Sequence, residues 1–228
     1  MTSALSVRRR MASIAAAGML AVTLAACAPP DPAISAAERT PSPVPPSSAT
    51  GSAGLSHPAP GRTVEAVVPG HTGDVRGVRV AVVVPDDGAT SRALQEALHG
   101  FAEVNGLVVE EFAATGDAAS IDAAFTRALA VEPHIVVGLG AGVVDVFAYN
   151  SSQWLDQDFL LLGAQVAEPT SNVAAVVWEG ATSRGSGAPA DGELDHAAVT
   201  TARAADAVSV GLATVMSGES GIVLHLPA

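Results

Sequence analysis

Four polar residues follow the first long apolar run of the chain and could hold a small ligand. The run VRVAVVVP ends at Pro85, and Asp86, Asp87, Thr90 and Ser91 come directly after it. Carboxylate and hydroxyl oxygens at the end of a buried strand, with the free amides of a following helix, can bind a small polar molecule. Capping of that helix by Asp87 or Thr90 explains the same residues equally well, and the two roles are compatible.

Three glycines in the sequence GLGAG, at positions 138, 140 and 142, suggest comparison with a dinucleotide-binding loop. That motif, GxGxxG, needs a glycine three residues after its second one, and Val143 or Asp145 stands there instead. The motif also follows the first strand of its domain, whereas this loop follows the third apolar run. The sequence therefore argues against nucleotide binding, and we expect tight turns here, with Gly140 contributing to the ligand loops.

No catalytic or metal-binding arrangement is visible elsewhere in the sequence. The six histidines lack the spacing of metal ligands, and the single cysteine has no second thiol to form a site with. Ser186 stands between two glycines, but Arg184 and Ala188 break the GxSxG frame of a nucleophile elbow. We therefore expect a protein without enzyme activity, cofactor or metal.

The elements that must position these residues alternate along the chain from about residue 75. Short apolar runs predict strands at 78–85, 107–114, 134–140, 159–164, 172–178 and 222–226. Amphipathic stretches after the first, second, third and fifth of them predict helices, the third from Val143 to about Trp154. Parallel neighbours need crossover connections, so we expect an α/β fold with a doubly wound, mostly parallel sheet and flanking helices.

The predicted helices differ in how clearly they are bounded. The first has Leu94, Ala97, Leu98, Phe101 and Ala102 on one face and closes at Asn105–Gly106. Asp117 or Ser120 can cap the second, which Pro133 ends. The fourth is predicted to be the longest, from Glu193 to about Ser217, with one face made of Leu194, Ala198, Thr201, Ala205, Val208, Leu212 and Val215.

The first 26 residues have the pattern of a bacterial secretory signal peptide. Three arginines, Arg8 to Arg10, precede the apolar run 11–26, which is too short for a membrane span of about 20 residues. The sequence LAAC, ending at Cys27, resembles the lipobox of bacterial lipoproteins, in which the cysteine becomes the acylated N-terminus. The resemblance implies a palmitate-type acyl anchor on Cys27 and a location at the extracytoplasmic face of the cell membrane.

Residues 27–74 are rich in Pro, Ser and Ala, a composition that predicts a flexible tether. Beyond residue 26 the chain carries 8 Arg and no Lys against 23 Asp and Glu, a formal charge of −15. Such a charge argues against nucleic acid as a partner and against electrostatic attachment to anionic lipid. The acyl anchor is then the expected membrane contact, and residues 75–228 form the expected folded lobe.

The lobe resembles a type I periplasmic binding protein, and within that superfamily the basic membrane protein (BMP) family. The resemblance covers residues 75–226 and is carried by VRVAVVVPDDGATSRALQEALHGF, HIVVGLGAGVVDVFAYNSSQW, FLLLGAQV and NVAAVVWEG, followed by an Ala-rich helix and a strand. It implies the solute-binding component of an ABC importer, with a permease partner and a small, nucleoside-like solute. The chain lacks the Ser-Phe-Asn turn typical of the family's first ligand loop, which weakens the case for stacking on a base.

Type I binding proteins have two lobes, and the resemblance accounts for the N-terminal lobe only. We therefore expect half of a clamshell, whose open face invites a second-lobe partner or self-association. Two other functions stay open from the sequence. One is an envelope lipoprotein with an interaction or structural role that has lost solute binding, and the other is a hydrolase on a flavodoxin-like fold.

Overall fold

The computed structural model describes residues 61–69, 74–186 and 195–228. The predicted signal peptide, Cys27 and most of the predicted tether lie outside these residues. The strands are β1 (Arg62–Glu65), β2 (Arg79–Val84), β3 (Val108–Ala113), β4 (Ile135–Leu139), β5 (Asp158–Leu162), β6 (Val173–Val177) and β7 (Ile222–His225). The α-helices are α1 (Ala89–Asn105), α2 (Ala118–Ala130), α3 (Val144–Asn150) and α4 (Thr201–Met216). Short 3₁₀ turns occur at Ala141–Val143, Ser151–Gln153 and His196–Ala198.

The seven strands form one sheet in which every neighbouring pair is parallel. Their order is β1-β7-β6-β5-β4-β2-β3. This sheet with its flanking helices confirms the predicted α/β class. The chain runs from β2 to β3 on one side and then to β4 on the other side of β2. The strand order therefore reverses at β2, which creates a switch point between the carboxyl ends of β2 and β4.

Helices cover both faces of the sheet, as expected for parallel strands. One core cluster joins alternate strand residues such as Val80 and Val82 to the buried faces of α1 and α4. The other joins Ala81 and Val83 to α2 and α3. β2 is consequently buried on both faces, which explains its uninterrupted apolar run.

Three aromatic rings occupy the centre of the cluster beneath α2 and α3. Phe125 and Phe159 stack with centroids 5.5 Å apart, and Phe147 meets both edge-on at 5.0 and 5.9 Å. Stacked and edge-on pairs of this kind are favourable beyond the area they bury. The three rings tie α2, α3 and β5 together on this face.

The predicted face and C-terminal end of the first helix and one predicted cap of the second are confirmed. Leu94, Ala97, Leu98 and Ala102 of α1 are buried, and Phe101 packs against the same core. The helix closes at Gly106 with φ of 74°, a left-handed conformation in which glycine carries no β-carbon penalty. Of the two cap candidates for α2, Asp117 is the cap, since its side chain accepts the Ser120 amide.

Three boundaries from the sequence are corrected by the structure. Residues 62–65, placed in the tether by their neighbours' composition, form β1 and pair with β7. The fourth helix begins at Thr201 rather than Glu193, and at 16 residues it is shorter than α1, which has 17. The third predicted helix is α-helical only over Val144–Asn150, with short 3₁₀ turns on either side.

The buried face of α4 also differs from the predicted one. Thr201 and Ala205 are exposed, whereas Ala204, Ala207 and Gly211 are buried. Val208, Leu212 and Val215 belong to both the predicted and the observed face. The predicted face is therefore rotated about the helix axis relative to the observed one. In the part of the chain that the structure describes, no helix has the length and apolar character needed to cross a membrane.

Candidate functional site

A crevice of about 290 Å³ opens at the switch point between the carboxyl ends of β2 and β4. Ligands of open α/β sheets bind at this place, because two neighbouring loops diverge there. Four of the five predicted ligand residues line it, namely Asp86, Thr90, Ser91 and Gly140. Asp87 does not line it. The loops after β2 and β4 are therefore brought together as the sequence predicts.

Asp86 organises the loop between β2 and α1. Its Oδ1 atom accepts the Gly88 amide at 2.8 Å and the Ser91 hydroxyl, also at 2.8 Å. Ser91 is buried, whereas the Asp86 side chain remains exposed at the mouth of the crevice. The crevice thus presents a carboxylate whose position is fixed by two hydrogen bonds.

The proposed capping of α1 by Asp87 or Thr90 is wrong. The residue at the N-cap position is Gly88, which has no side chain to accept a hydrogen bond from the amides of the first turn. Asp87 contributes its backbone carbonyl, which accepts from the Arg92 guanidinium. The Thr90 hydroxyl instead forms a hydrogen bond with the imidazole of His196. The first turn of α1 consequently keeps amides that no capping side chain occupies.

His196 lines the crevice and was not predicted from the sequence. Its Nδ1 atom lies 3.0 Å from the Thr90 hydroxyl, 106 residues away in sequence. The short 3₁₀ turn that carries it is capped by Asp195, whose side chain accepts the Ala197 amide at 2.9 Å. A single histidine between a loop and a helix has no spacing that points to this contact, so no sequence signal could have found it.

Gly140 and Gly138 are explained by the path of the backbone. Gly140 has φ of 69°, and its amide donates to the Leu162 carbonyl at 2.8 Å, which joins the loop after β4 to β5. A β-carbon on Gly138 would lie 2.8 and 3.1 Å from two ring atoms of Phe147. The close approach of strand and helix needs glycine there, as expected from tight strand-to-helix turns.

The chemistry available in the crevice is hydrogen bonding and charge from a small set of polar side chains. Thr90 and Ser91 supply hydroxyls, Asp86 a carboxylate and His196 an imidazole. Ser186 lies outside the crevice, where its amide donates to Asp145 at 2.7 Å. Within the described ranges no three His, Cys, Asp or Glu side chains are grouped closely enough to hold a metal ion. The arrangement suits reversible binding of a small polar molecule.

Comparisons with known proteins extend over part of the chain. No family model and no curated protein matches it. The ABC transporter system solute-binding protein from Conexibacter woesei DSM 14684 is similar over 46% of this chain and 36% of that one, at 20% identity and a TM-score of 0.40. An ABC transporter system solute-binding protein from Aeropyrum pernix K1 is similar over 46% and 29%, at 19% identity and a TM-score of 0.39. The chain therefore spans about a third of the length of the two solute-binding proteins to which it is similar.

Proposed function

We propose that this chain is a non-enzymatic solute-binding protein of an ABC transport system, and that its solute binds at the switch-point crevice. The observation that carries the proposal is the meeting of Asp86, Thr90, Ser91 and Gly140 at that crevice. Loops that diverge at a switch point make the natural ligand site of an open α/β sheet. The BMP-type resemblance of the sequence supports a small, nucleoside-like solute.

The size and polarity of the crevice support a small solute as its ligand. Its volume of about 290 Å³ lies at the lower end of the range usual for ligand pockets, roughly 300–1,000 Å³. Hydroxyl and carboxylate oxygens on its wall can hold the hydroxyl and amide groups of a sugar, nucleoside or amino acid. Because Asp86 and His196 are exposed, a solute bound there stays partly in contact with water, which weakens its hydrogen bonds to them.

Two adjacent aspartates allow a sharp test of the crevice. Titration calorimetry of the full-length chain against nucleosides, sugars and amino acids is expected to find a binding solute. Asp86→Asn should weaken that binding by about tenfold, because it removes the charge while keeping an oxygen for Gly88 and Ser91. Asp87→Asn makes the same change outside the crevice and should have little effect. Equal effects of the two variants, or no binding solute, would rule out this site.

We infer that the protein is held at the extracytoplasmic face of the cell membrane through acylated Cys27. The support is the leader of residues 1–26 and the lipobox-like LAAC that ends it. Cys27→Ala should abolish fatty-acid labelling in the producing bacterium and leave the leader uncleaved. Labelling that persists in this variant would contradict the anchor while leaving the crevice proposal untouched.

A further inference from the structure

The crevice at the switch point has a polar mouth and an apolar inner wall. Asp86 and His196 are exposed at the mouth, whereas Pro85, Leu139 and Val199 are buried and belong to the same lining. Apolar surface of this kind favours carbon atoms of a ligand over water. A solute that matches both parts carries a polar group at one end and a short apolar part at the other.

The fixed charge of the crevice is negative. Asp86 supplies a carboxylate to the lining, and none of the described residues that line it is Arg or Lys. Arg92 lies one turn into α1, but it is not a lining residue, and its guanidinium donates to the Asp87 carbonyl. Residues 187–194, which precede the wall segment in sequence and are not described, contain two acidic residues and no basic one. The charge of the crevice therefore favours a cationic solute over an anionic one.

The N-terminus of α1 does not reverse this sign. The uncapped amides of a helix N-terminus are equivalent to about half of a positive charge. The full negative charge of Asp86 lies directly before them, where its Oδ1 atom accepts the Gly88 amide at 2.8 Å. The sum of the two is still negative, and an anion that approached the amides would also approach the carboxylate.

The polar side chains of the crevice offer more hydrogen-bond acceptors than donors. The Ser91 hydroxyl already donates its proton to Asp86 at 2.8 Å. The Thr90 hydroxyl and a neutral His196 ring have one proton each, and their 3.0 Å hydrogen bond uses one of the two in either ring tautomer. The Asp86 carboxylate has about four acceptor positions, of which the Gly88 and Ser91 bonds occupy two. A solute rich in N–H donors matches these groups.

We propose that the solute of this crevice is a small aliphatic amine that is protonated at neutral pH. Its ammonium group donates to Asp86 at the mouth, and its carbon chain covers Leu139 and Val199 on the inner wall. An ammonium group has three donors and no acceptor, and a charge-assisted hydrogen bond is roughly twice as strong as a neutral one. The inference rests on the proposed solute-binding function. It narrows the solute to a cation, whereas the sequence resemblance alone suggests a nucleoside-like molecule.

Three probes of equal chain length separate charge from size, namely pentylamine, pentanol and pentanoate, which are cationic, neutral and anionic at pH 7. Ligand-observed NMR with the full-length chain measures their affinities, because ligands of so few atoms bind weakly. Pentylamine should bind about tenfold more tightly than pentanol, and pentanoate should not bind. The advantage of the amine should shrink at high salt, because Asp86 is exposed and its charge is screened.

Asp86→Asn should remove the preference, so that pentylamine and pentanol bind this variant equally. Asp87→Asn, outside the crevice, is the matched control and should keep the preference. Circular dichroism establishes that both variants are folded, and the comparison of the three probes on the unaltered chain needs no variant. Equal affinity of that chain for pentylamine and pentanol, or an unchanged preference in folded Asp86→Asn, would overturn the proposal. If adenosine or ribose binds and pentylamine does not, the amine is wrong and the crevice remains a solute site, whereas binding of none of these probes contradicts the solute-binding function as well.

Discussion

Asn172 is a buried amide that holds the segment between α3 and β5 in place. Its Nδ2 atom donates to the carbonyls of Ser151, Trp154 and Gln157 at 3.1, 2.9 and 3.0 Å. Its Oδ1 atom accepts the Thr170 hydroxyl at 2.5 Å. The two N–H groups of one side chain are thereby shared among three carbonyls, in a segment that has little regular structure of its own.

Asn172→Ala should lower the free energy of unfolding by about 1–3 kcal/mol, because the hydrogen bonds of a buried side chain to a partly buried segment are lost. Asn150→Ala is the matched control. Its amide bonds to Asp122 and to Val146 on a more exposed part of the surface, where water can replace it. Urea unfolding measures the free energy of unfolding of both variants. Similar decreases in the two would show that burial does not determine how much these hydrogen bonds stabilise the fold.

Asp158, the first residue of β5, carries a carboxyl whose pKa is raised by partial burial. Burial disfavours the ionised form, so the folded state binds this proton more tightly than the unfolded state. The stability contributed by Asp158 therefore falls as the pH rises through the unfolded and then the folded pKa. At neutral pH the charged carboxylate is a net cost to folding.

Asp158→Asn should accordingly stabilise the fold at pH 7. The gain should shrink as the pH falls and vanish below about pH 3.9, the ordinary aspartate pKa, where the wild-type carboxyl is also uncharged. Asp156→Asn removes the same charge from an exposed neighbour and serves as control. A gain that does not depend on pH would contradict burial of charge as its cause.

The residues of the crevice differ in how far the sequence could predict them. Asp86, Thr90, Ser91 and Gly140 were predictable, because each follows an apolar run and carboxyl ends of parallel strands meet at one edge of a sheet. His196 was not, because its contact with Thr90 depends on the course of the chain after β6. Local patterns identify loops at the sheet edge, but not distant segments that cross over them.

At the scale of elements, α4 approaches the sheet closely at Gly211. A β-carbon there would lie 2.8 and 2.9 Å from the two methyl groups of Leu160 and 3.0 Å from Val176. Both neighbours are fully buried, so they have little room to move. Glycine is needed at this position for packing, although it weakens the helix by about 1 kcal/mol relative to alanine.

Gly211→Ala and Gly100→Ala should change stability in opposite directions. Crowding at Gly211 costs about 1–3 kcal/mol, which outweighs the gain in helix propensity. Gly100 lies on the exposed side of α1 with no atom within 4 Å of an added β-carbon, so alanine should stabilise it by about 0.5–1 kcal/mol. Thermal unfolding of the two variants tests both signs. A stable Gly211→Ala variant would show that α4 can shift away from the sheet.

The elements themselves were predictable where periodicity was strong and the boundaries were marked. The first helix has a clear apolar stripe and ends at Gly106, and both features match α1. The fourth was placed too early because Ala-rich sequence gives almost every face some apolar character. β1 was missed because four residues beside a Pro-rich segment show no alternation that distinguishes a strand.

For the whole molecule, two cavities lie at the carboxyl ends of the strands. One is at the switch point and the other is at the ends of β5, β6 and β7. A parallel sheet places all of its carboxyl-end loops on one side, so neighbouring cavities can form there without a change of fold. The amino edge carries Asp158 and the segment that Asn172 holds. Variants at that edge therefore test stability separately from binding.

β1 sets the border between the folded lobe and the part of the chain that precedes it. It pairs with β7 from Arg62 to Glu65, and the Gly61 and Ala66 amides donate to Gly221 and His225 at 2.7 and 2.8 Å. Ala66 is buried against the core beneath α1 and α4. The composition of residues 27–74 assigns residues 61–66 to the tether, whereas their contacts with β7 place them in the sheet.

Two shortened chains distinguish these alternatives. A chain that begins at residue 61 keeps β1 and should melt within a few degrees of the protein without its predicted leader, because residues 27–60 offer little apolar surface. A chain that begins at residue 71 loses the ladder with β7 and the burial of Ala66. Its melting temperature should fall by roughly 5–15 °C, because several hydrogen bonds are lost. In a domain of this size, each kcal/mol of lost unfolding free energy lowers the melting temperature by a few degrees. The exposed edge of β7 should also promote aggregation, which light scattering would detect. Equal melting temperatures for the two chains would mean that β1 contributes nothing to the lobe and that the tether extends to residue 74, as its composition predicts.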